Sequence, residues 1–156
     1  VKVTEPTPDQ LEPPWMDFAR AELGVKEVPG ERSNPRIVEY FSHTRLGGSA
    51  ISDSTPWCSA FANFVMDAAG YRGTHRANAR SWLEWGEQLN EPRLGCICVL
   101  WRESPQSAAG HVGFLTMALP HRLVLLGGNQ SDGVSIREYG TSRLLGYRWP
   151  READRK

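Results

Sequence analysis

Asp53-Ser54-Thr55-Pro56-Trp57-Cys58-Ser59-Ala60-Phe61 joins a polar loop to an amphipathic run, and the junction falls on a cysteine. Downstream, Phe61, Phe64, Val65, Ala68 and Ala69 recur at helical spacing, and Gly70 supplies a stop. The spacing predicts a helix that begins near Cys58. The first turn of a helix carries unpaired N–H groups and the positive end of the dipole. A thiol placed there ionises more readily, and the thiolate is the reactive form.

Upstream of this stretch the periodicity is helical. Pro14 opens a helix carrying Trp15, Phe18, Ala19 and Leu23, with Gly24 to end it. Pro29-Gly30 reads as a turn. Asn34-Pro35 is a cap followed by proline at the first helical position, and Ile37, Tyr40 and Phe41 form the buried face of the helix it starts. Residues 42–56 read as loop. Asn78 or Ser81 begins a fourth helix with Trp82, Trp85 and Leu89, closed by Glu91-Pro92. From Gly95 the pattern changes to strands: 96–101, 111–117, 122–126, 134–139 and 145–149. Leu119-Pro120-His121 reads as a turn between two of them, and 127–133 as a loop rich in turn formers. Helices first and strands afterwards imply an α+β fold, with helices on one side of an antiparallel sheet of five to six strands.

The chain has 156 residues, enough for one domain with a sizeable core. Residues 1–13 are polar and proline-containing and read as an arm or linker to another module, 14–150 as the folded domain, and 151–156 as a polar tail. Formal net charge is zero, which gives no global electrostatic case for nucleic acid or an anionic membrane. No apolar run is long enough to span a bilayer, and no signal-peptide pattern is seen. Three cysteines do not make a disulfide scaffold.

Two further residues complete a candidate catalytic set. His111 follows Ala108-Ala109-Gly110 and opens a strand, where small neighbours leave the backbone accessible and an imidazole can serve as base to a thiol. Asn129 follows Gly127-Gly128 at the end of the next strand, so that the start of one strand lies beside the end of its neighbour. Its side-chain oxygen can accept from Nδ1–H of His111 and leave Nε2 to the thiol, a Cys-His-Asn variant of the triad. Cys96 and Cys98 share one face of an apolar strand, which argues against a metal or redox pair; a disulfide from either to Cys58 stays open. His43, His75 and His121 lie in loops and turns, and no cluster has a metal-ligand spacing, so neither a metal nor an organic cofactor is expected.

In this order, Thr55-Pro56-Trp57-Cys58-Ser59-Ala60-Phe61, Gly110-His111-Val112-Gly113-Phe114 and Gly127-Gly128-Asn129-Gln130 resemble the CHAP family of cysteine, histidine-dependent amidohydrolases and peptidases, and the broader NlpC-type cell-wall peptidases. Gly24-Val25-Lys26-Glu27-Val28-Pro29-Gly30 with Asn34-Pro35 resembles the N-terminal part of a phage- and bacterium-associated branch. The resemblance runs from Trp15 to Trp149. It implies a papain-like fold, with Cys58 as nucleophile, His111 as base and later acid, and Asn129 as third polar member. Two positions depart from the pattern: Gly127 stands where an acid is frequent, and Gly95-Cys96 where Gly-Asp is frequent.

The resemblance further implies a hydrolase of peptidoglycan; it covers both stem-peptide endopeptidases and N-acetylmuramoyl-L-alanine amidases, and the endopeptidase is slightly favoured. Action would be in the periplasm or cell wall, reached by phage lysis as an endolysin or by export as an antibacterial effector with an immunity protein as partner. A monomer is expected. Trp57, Trp101, Trp82 and Trp85 are groove candidates, although helical spacing already explains Trp82 and Trp85 as core. Asp53 and Glu27 are candidates for contact with peptide amines. Two other classes fit the same sequence: a non-catalytic wall-binding module, and a thiol acyltransferase or deamidase acting on proteins.

Overall fold

A computed structural model describes residues 11–29, 33–47 and 56–156. Asp53, Gly30 and the first ten residues of the expected arm lie outside the described residues. The elements run α1 (Trp15–Ala21), α2 (Pro35–Phe41), α3 (Cys58–Ala68), a 3-10 turn (Ala79–Glu84), β1 (Glu87–Leu89), β2 (Ile97–Trp101), β3 (Gly110–Leu119), β4 (Arg122–Gln130), β5 (Gly133–Gly140) and β6 (Leu144–Trp149). The six strands form one antiparallel sheet in the order β1-β6-β2-β3-β4-β5. The N-terminal helices pack on it, so the fold is α+β as the order of patterns predicts.

The helix starts follow local chemistry. The side chain of Asn34 accepts from the N–H of Arg36, and Pro35 occupies the first helical position. α1 and α2 are tied together by Glu22, which receives Arg36 Nε at 2.5 Å and the Tyr40 hydroxyl at 2.9 Å. α3 is buried on every side from Cys58 to Met66, wider than the expected stripe, because it lies between the other helices and the sheet. Tyr40 anchors that junction, with ring centroids 5.8, 5.3 and 4.9 Å from Trp57, Phe61 and Phe64.

Alternation along β2 divides the core. Ile97 and Val99 face the helices, whereas Cys98 and Leu100 join Cys96, Leu115, Leu123 and Leu125 on the opposite face. Burial on both faces explains why this strand reads as a continuous apolar run. It also settles the cysteines. Cys96 and Cys98 lie with Sγ atoms 3.9 Å apart on the face away from the helices, Cys58 lies on the helix side, and all three are free.

Two expectations are corrected. The fourth helix is only a 3-10 turn. Gly86, at φ +63°, redirects the chain after Trp85, and Glu87–Leu89 pairs with Trp149–Tyr147 as an edge strand instead of continuing a helix. The expected loop over 127–133 is mostly strand. β4 runs through Gln130, and only Ser131 and Asp132, both at positive φ, make the two-residue turn into β5. The tail is pinned as well: Lys156 N–H donates to Gly70 O at 2.9 Å, and Arg72 N–H to Asp154 O at 2.7 Å.

Gly128 marks the tightest helix–sheet approach. A Cβ there would stand 2.7 Å from Phe61 Cβ and from Trp57 Cζ3. Gly128→Ala is therefore expected to destabilise the fold by about 1–3 kcal/mol through overpacking. Chemical denaturation measures this, and an unchanged midpoint would contradict the packing described.

Candidate active site

Cys58 is the first residue of α3. Its N-cap, Trp57, gives no side-chain hydrogen bond, and the first helical bond runs from Phe61 N–H to Trp57 O. The N–H groups of the first turn are thus left for other acceptors. Trp57 itself is fully buried, and its indole N–H donates to Glu27 Oε1 at 2.7 Å. Trp57 and Glu27, expected at the substrate groove, bond to each other and hold the segment that leads into α3. Trp82 and Trp85 are likewise core, their rings 4.9 Å apart. Trp101 is half-buried, with its indole donating to Ser142 O at 3.3 Å and the Arg143 guanidinium 5.7 Å over the ring.

A small cavity of about 210 Å³ opens at Cys58, lined by Pro56, Ala77, Ala79, Arg102, Ala108, Ala109 and Gly110 among others. The small residues before His111 therefore do leave access, and they leave it at the thiol. Arg80 holds their loop in place by donating to the carbonyls of Ser104, Pro105 and Ala109 at 3.1, 2.9 and 3.0 Å.

His111 is 4% exposed at the start of β3. Its Nε2 lies 2.9 Å from Gln130 Oε1 and 3.2 Å from the Tyr139 hydroxyl, and the Tyr139 ring stacks on the imidazole at 5.1 Å. The residue that orients His111 is thus Gln130, where the sequence points to Asn129. The reason is the register break between Gly127 and Gln130. With Asn129 at φ +57°, the break turns the Gln130 side chain toward His111, and Asn129 is left on the wall of the adjoining cleft. Gly127 is part of the same device: a Cβ there would stand 2.6 Å from Gln130 Oε1. The amide thus fills the space in front of Gly127.

The amide also fixes the tautomer. Gln130 Nε2 donates to Ser135 O at 2.7 Å and Leu125 O at 3.2 Å. Oε1 is therefore the acceptor, and the proton of His111 must sit on Nε2. Nδ1 keeps its lone pair, the reverse of the nitrogen assignment expected from sequence. Among the described residues no hydrogen bond joins the Cys58 thiol to the ring. The two are linked through the backbone: the N–H of Val112, the residue after His111, favours the Cys58 thiolate, as do the N–H groups of Ser59 and Cys58.

Burial outweighs these donors. It pushes the Cys58 thiol up, against the pull of the Val112 and Ser59 N–H groups and the Arg102 guanidinium. Burial also lowers His111 to about 4, opposed by the Gln130 hydrogen bond and assisted by the charges of Arg102 and Arg143. The helix start thus does not by itself ionise the thiol. The resting pair is a neutral thiol and a neutral imidazole. Tyr139 is raised to about 12, first by burial and then by Cys58, so it stays a neutral phenol. Among the described residues no group of three or more His, Cys, Asp or Glu could hold a metal ion, and no helix is long and apolar enough to cross a membrane.

Gln130, Tyr139 and Arg80, which contact His111 or brace the loop before it, were not singled out from the sequence. For Gln130 a signal existed, since a glycine in place of an acid asks what fills the space. For Tyr139 none did, because its contact with His111 reaches across β4. Among solved structures, the chain is similar to one described as similar to a lipoprotein of the NLP/P60 family, from Staphylococcus aureus subsp. aureus Mu50. Identity is 15% and the TM-score 0.49, over 88% of this chain and 41% of that one, so the chain spans less than half of that protein's length. No family model matches the sequence, and no curated protein does.

The buried neutral imidazole has a consequence for stability. The folded pKa of about 4 lies below the unfolded value near 6.5. As pH falls, the unfolded chain takes up the proton first, so His111 contributes stability at neutral pH that is lost between about 6.5 and about 4. Between about pH 7 and pH 5 the loss from this one group is about 2 kcal/mol. His111→Gln is expected to remove that component. Urea unfolding at the two pH values tests it, and an identical pH slope in wild type and variant would show that His111 is not held neutral.

Proposed function

We propose that the protein is a cysteine hydrolase that cleaves an amide bond of peptidoglycan, a stem-peptide endopeptidase in preference to an N-acetylmuramoyl-L-alanine amidase. The observation that carries the reading is the Gln130 amide. It commits the His111 proton to Nε2 and leaves Nδ1 as a base on the peptide unit whose next N–H faces the Cys58 thiol. A buried histidine serving only as core would need no such tautomer control. The substrate class rests on the resemblance of the Cys58, His111 and 127–130 segments to cell-wall peptidases.

In this mechanism the Cys58 proton passes to His111 Nδ1 as Sγ bonds to the carbonyl carbon, because both groups are neutral at rest. The carbonyl oxygen becomes an oxyanion near the first-turn N–H of Cys58, where preorganised donors count most. His111 returns the proton to the nitrogen of the leaving amine as the C–N bond breaks. A water then gives its proton to His111 and attacks the thioester, and the released sulfur takes the proton back. Gln130 accepts from Nε2–H throughout and strengthens as an acceptor when the ring is cationic.

Purified peptidoglycan incubated with wild type should release soluble fragments with new amine termini, which mass spectrometry sizes and which identify the bond. Cys58→Ala should release none. Gln130→Ala should lower kcat/KM about 10- to 100-fold, the worth of one hydrogen bond to a charged group, while Asn129→Ala stays within about threefold of wild type. The reverse ranking would restore Asn129 as the third member; full activity in Cys58→Ala would overturn the mechanism.

The resting protonation state gives a separate check. Iodoacetamide alkylation of Cys58 should accelerate steadily with pH and show no plateau at neutral pH. A rate that is flat through the acid and neutral range would instead indicate a preformed thiolate–imidazolium pair.

A further inference from the structure

A polar recess next to His111 has no place in the mechanism above. It is a cleft of about 370 Å³ whose lining includes His111, Tyr139, Arg102, Arg137 and Arg143, with Glu138 as its one carboxylate. Building on the hydrolase reading, we propose that this cleft is a carboxylate-binding subsite, in which Arg102, Arg137 and Arg143 receive a free carboxylate of the peptide that Cys58 attacks.

The charge of the cleft is unbalanced among the described residues. Outside the cleft, Arg20 pairs with Glu12, Arg36 with Glu22 and Glu39, Arg76 with Glu84, and Arg155 with Glu152, while Arg80 and Arg148 spend their guanidiniums on backbone carbonyls. In the cleft, Glu138 is drawn outward to Arg122 on the neighbouring strand, 3.8 Å away. No carboxylate among the described residues pairs with Arg102, Arg137 or Arg143. Arg143 is also held in position: its Nε donates to Trp101 O at 3.1 Å, and its guanidinium lies 5.8 Å from the Tyr139 ring centroid. Three like charges repel one another, and an anion relieves that repulsion. A carboxylate suits the planar fork of a guanidinium, which offers two parallel donors.

Position ties the subsite to the reaction. Arg102 lines both this cleft and the cavity at Cys58, so it stands at the passage between them. All three guanidiniums act electrostatically on Tyr139, the residue stacked on His111. A carboxylate bound here therefore belongs to the chain whose amide lies at the thiol, within a residue or so of the bond that is cut. The expected substrate is an acidic peptide, and the same peptide with that carboxylate amidated is a poor one.

The test compares soluble muropeptides released from peptidoglycan with the same muropeptides after chemical amidation of their free carboxylates. Calorimetry on Cys58→Ala measures binding, and turnover by wild type measures kcat and KM. Amidation is expected to weaken binding and raise KM about tenfold or more, with a smaller effect on kcat. Arg137→Gln and Arg143→Gln are each expected to shrink the acid-to-amide ratio, and Arg137→Lys to keep part of it, since the charge remains and the fork is lost. Circular dichroism melts check that the variants fold. Equal binding of the two forms to the Cys58→Ala protein overturns the subsite, as does a ratio that survives the Arg137→Gln/Arg143→Gln double variant. If wild type cleaves both forms equally, the subsite falls and the hydrolase stands. If the acid form binds selectively and neither form is cleaved, the hydrolase reading falls and the anion subsite stands.

Discussion

The side-chain amide of Gln130 is the constraint on which the site depends. Its nitrogen is committed to Ser135 O and Leu125 O, so its oxygen has one role left, to accept from His111 Nε2. That arrangement needs the register break in β4, the positive φ of Asn129, and a glycine at 127 to admit the amide. It needs Gly128 as well, since the same stretch passes against Phe61 and Trp57 and so sets the distance between sheet and α3. One four-residue run thereby orients the imidazole and seats the helix that carries the thiol.

Burial then determines the resting chemistry. A thiol at a helix start gains from the dipole and from nearby N–H groups, and such effects are worth about 1 kcal/mol or somewhat more. Removing a charge from water costs more than that. The balance leaves Cys58 protonated and His111 neutral. In the mechanism proposed above, a pair in this state would pass its proton as the bond to sulfur forms and not before it.

The helices around the thiol were legible in sequence because their signals are local. Asn34-Pro35 starts α2 by capping, and Gly70, at φ +90°, ends α3. The sheet was legible from apolar runs and turn residues. What stayed hidden depends on pairing between distant segments. Trp85 and Leu89 sit at helical spacing, yet Gly86 turns the chain onto Trp149 and makes β1. Asn129 and Gln130 are adjacent and both can accept a hydrogen bond. Only the register of β4 against β5 decides which of them faces His111. Trp57 could be read as core or as groove wall; its ring is buried and its indole is spent on Glu27, thirty positions upstream, a pairing that no local pattern announces.

Charge shows the same limit of local reading. The formal net charge of zero argues against a partner recognised by overall charge, and that argument holds for the molecule as a whole. It says nothing about how the charges are distributed. Arg102 follows β2, Arg137 lies in β5 and Arg143 just before β6, so no run of basic residues marks them in the sequence. The fold brings them to one cleft, where the lining acid, Glu138, pairs with Arg122 instead. A neutral protein thus carries a local positive field beside its thiol. That field opposes protonation of His111 and favours negative charge placed near it. An incoming carboxylate would offset part of it. Anion binding in the cleft and the basicity of His111 are therefore coupled: a carboxylate held there, as proposed, would raise the proton affinity of the imidazole.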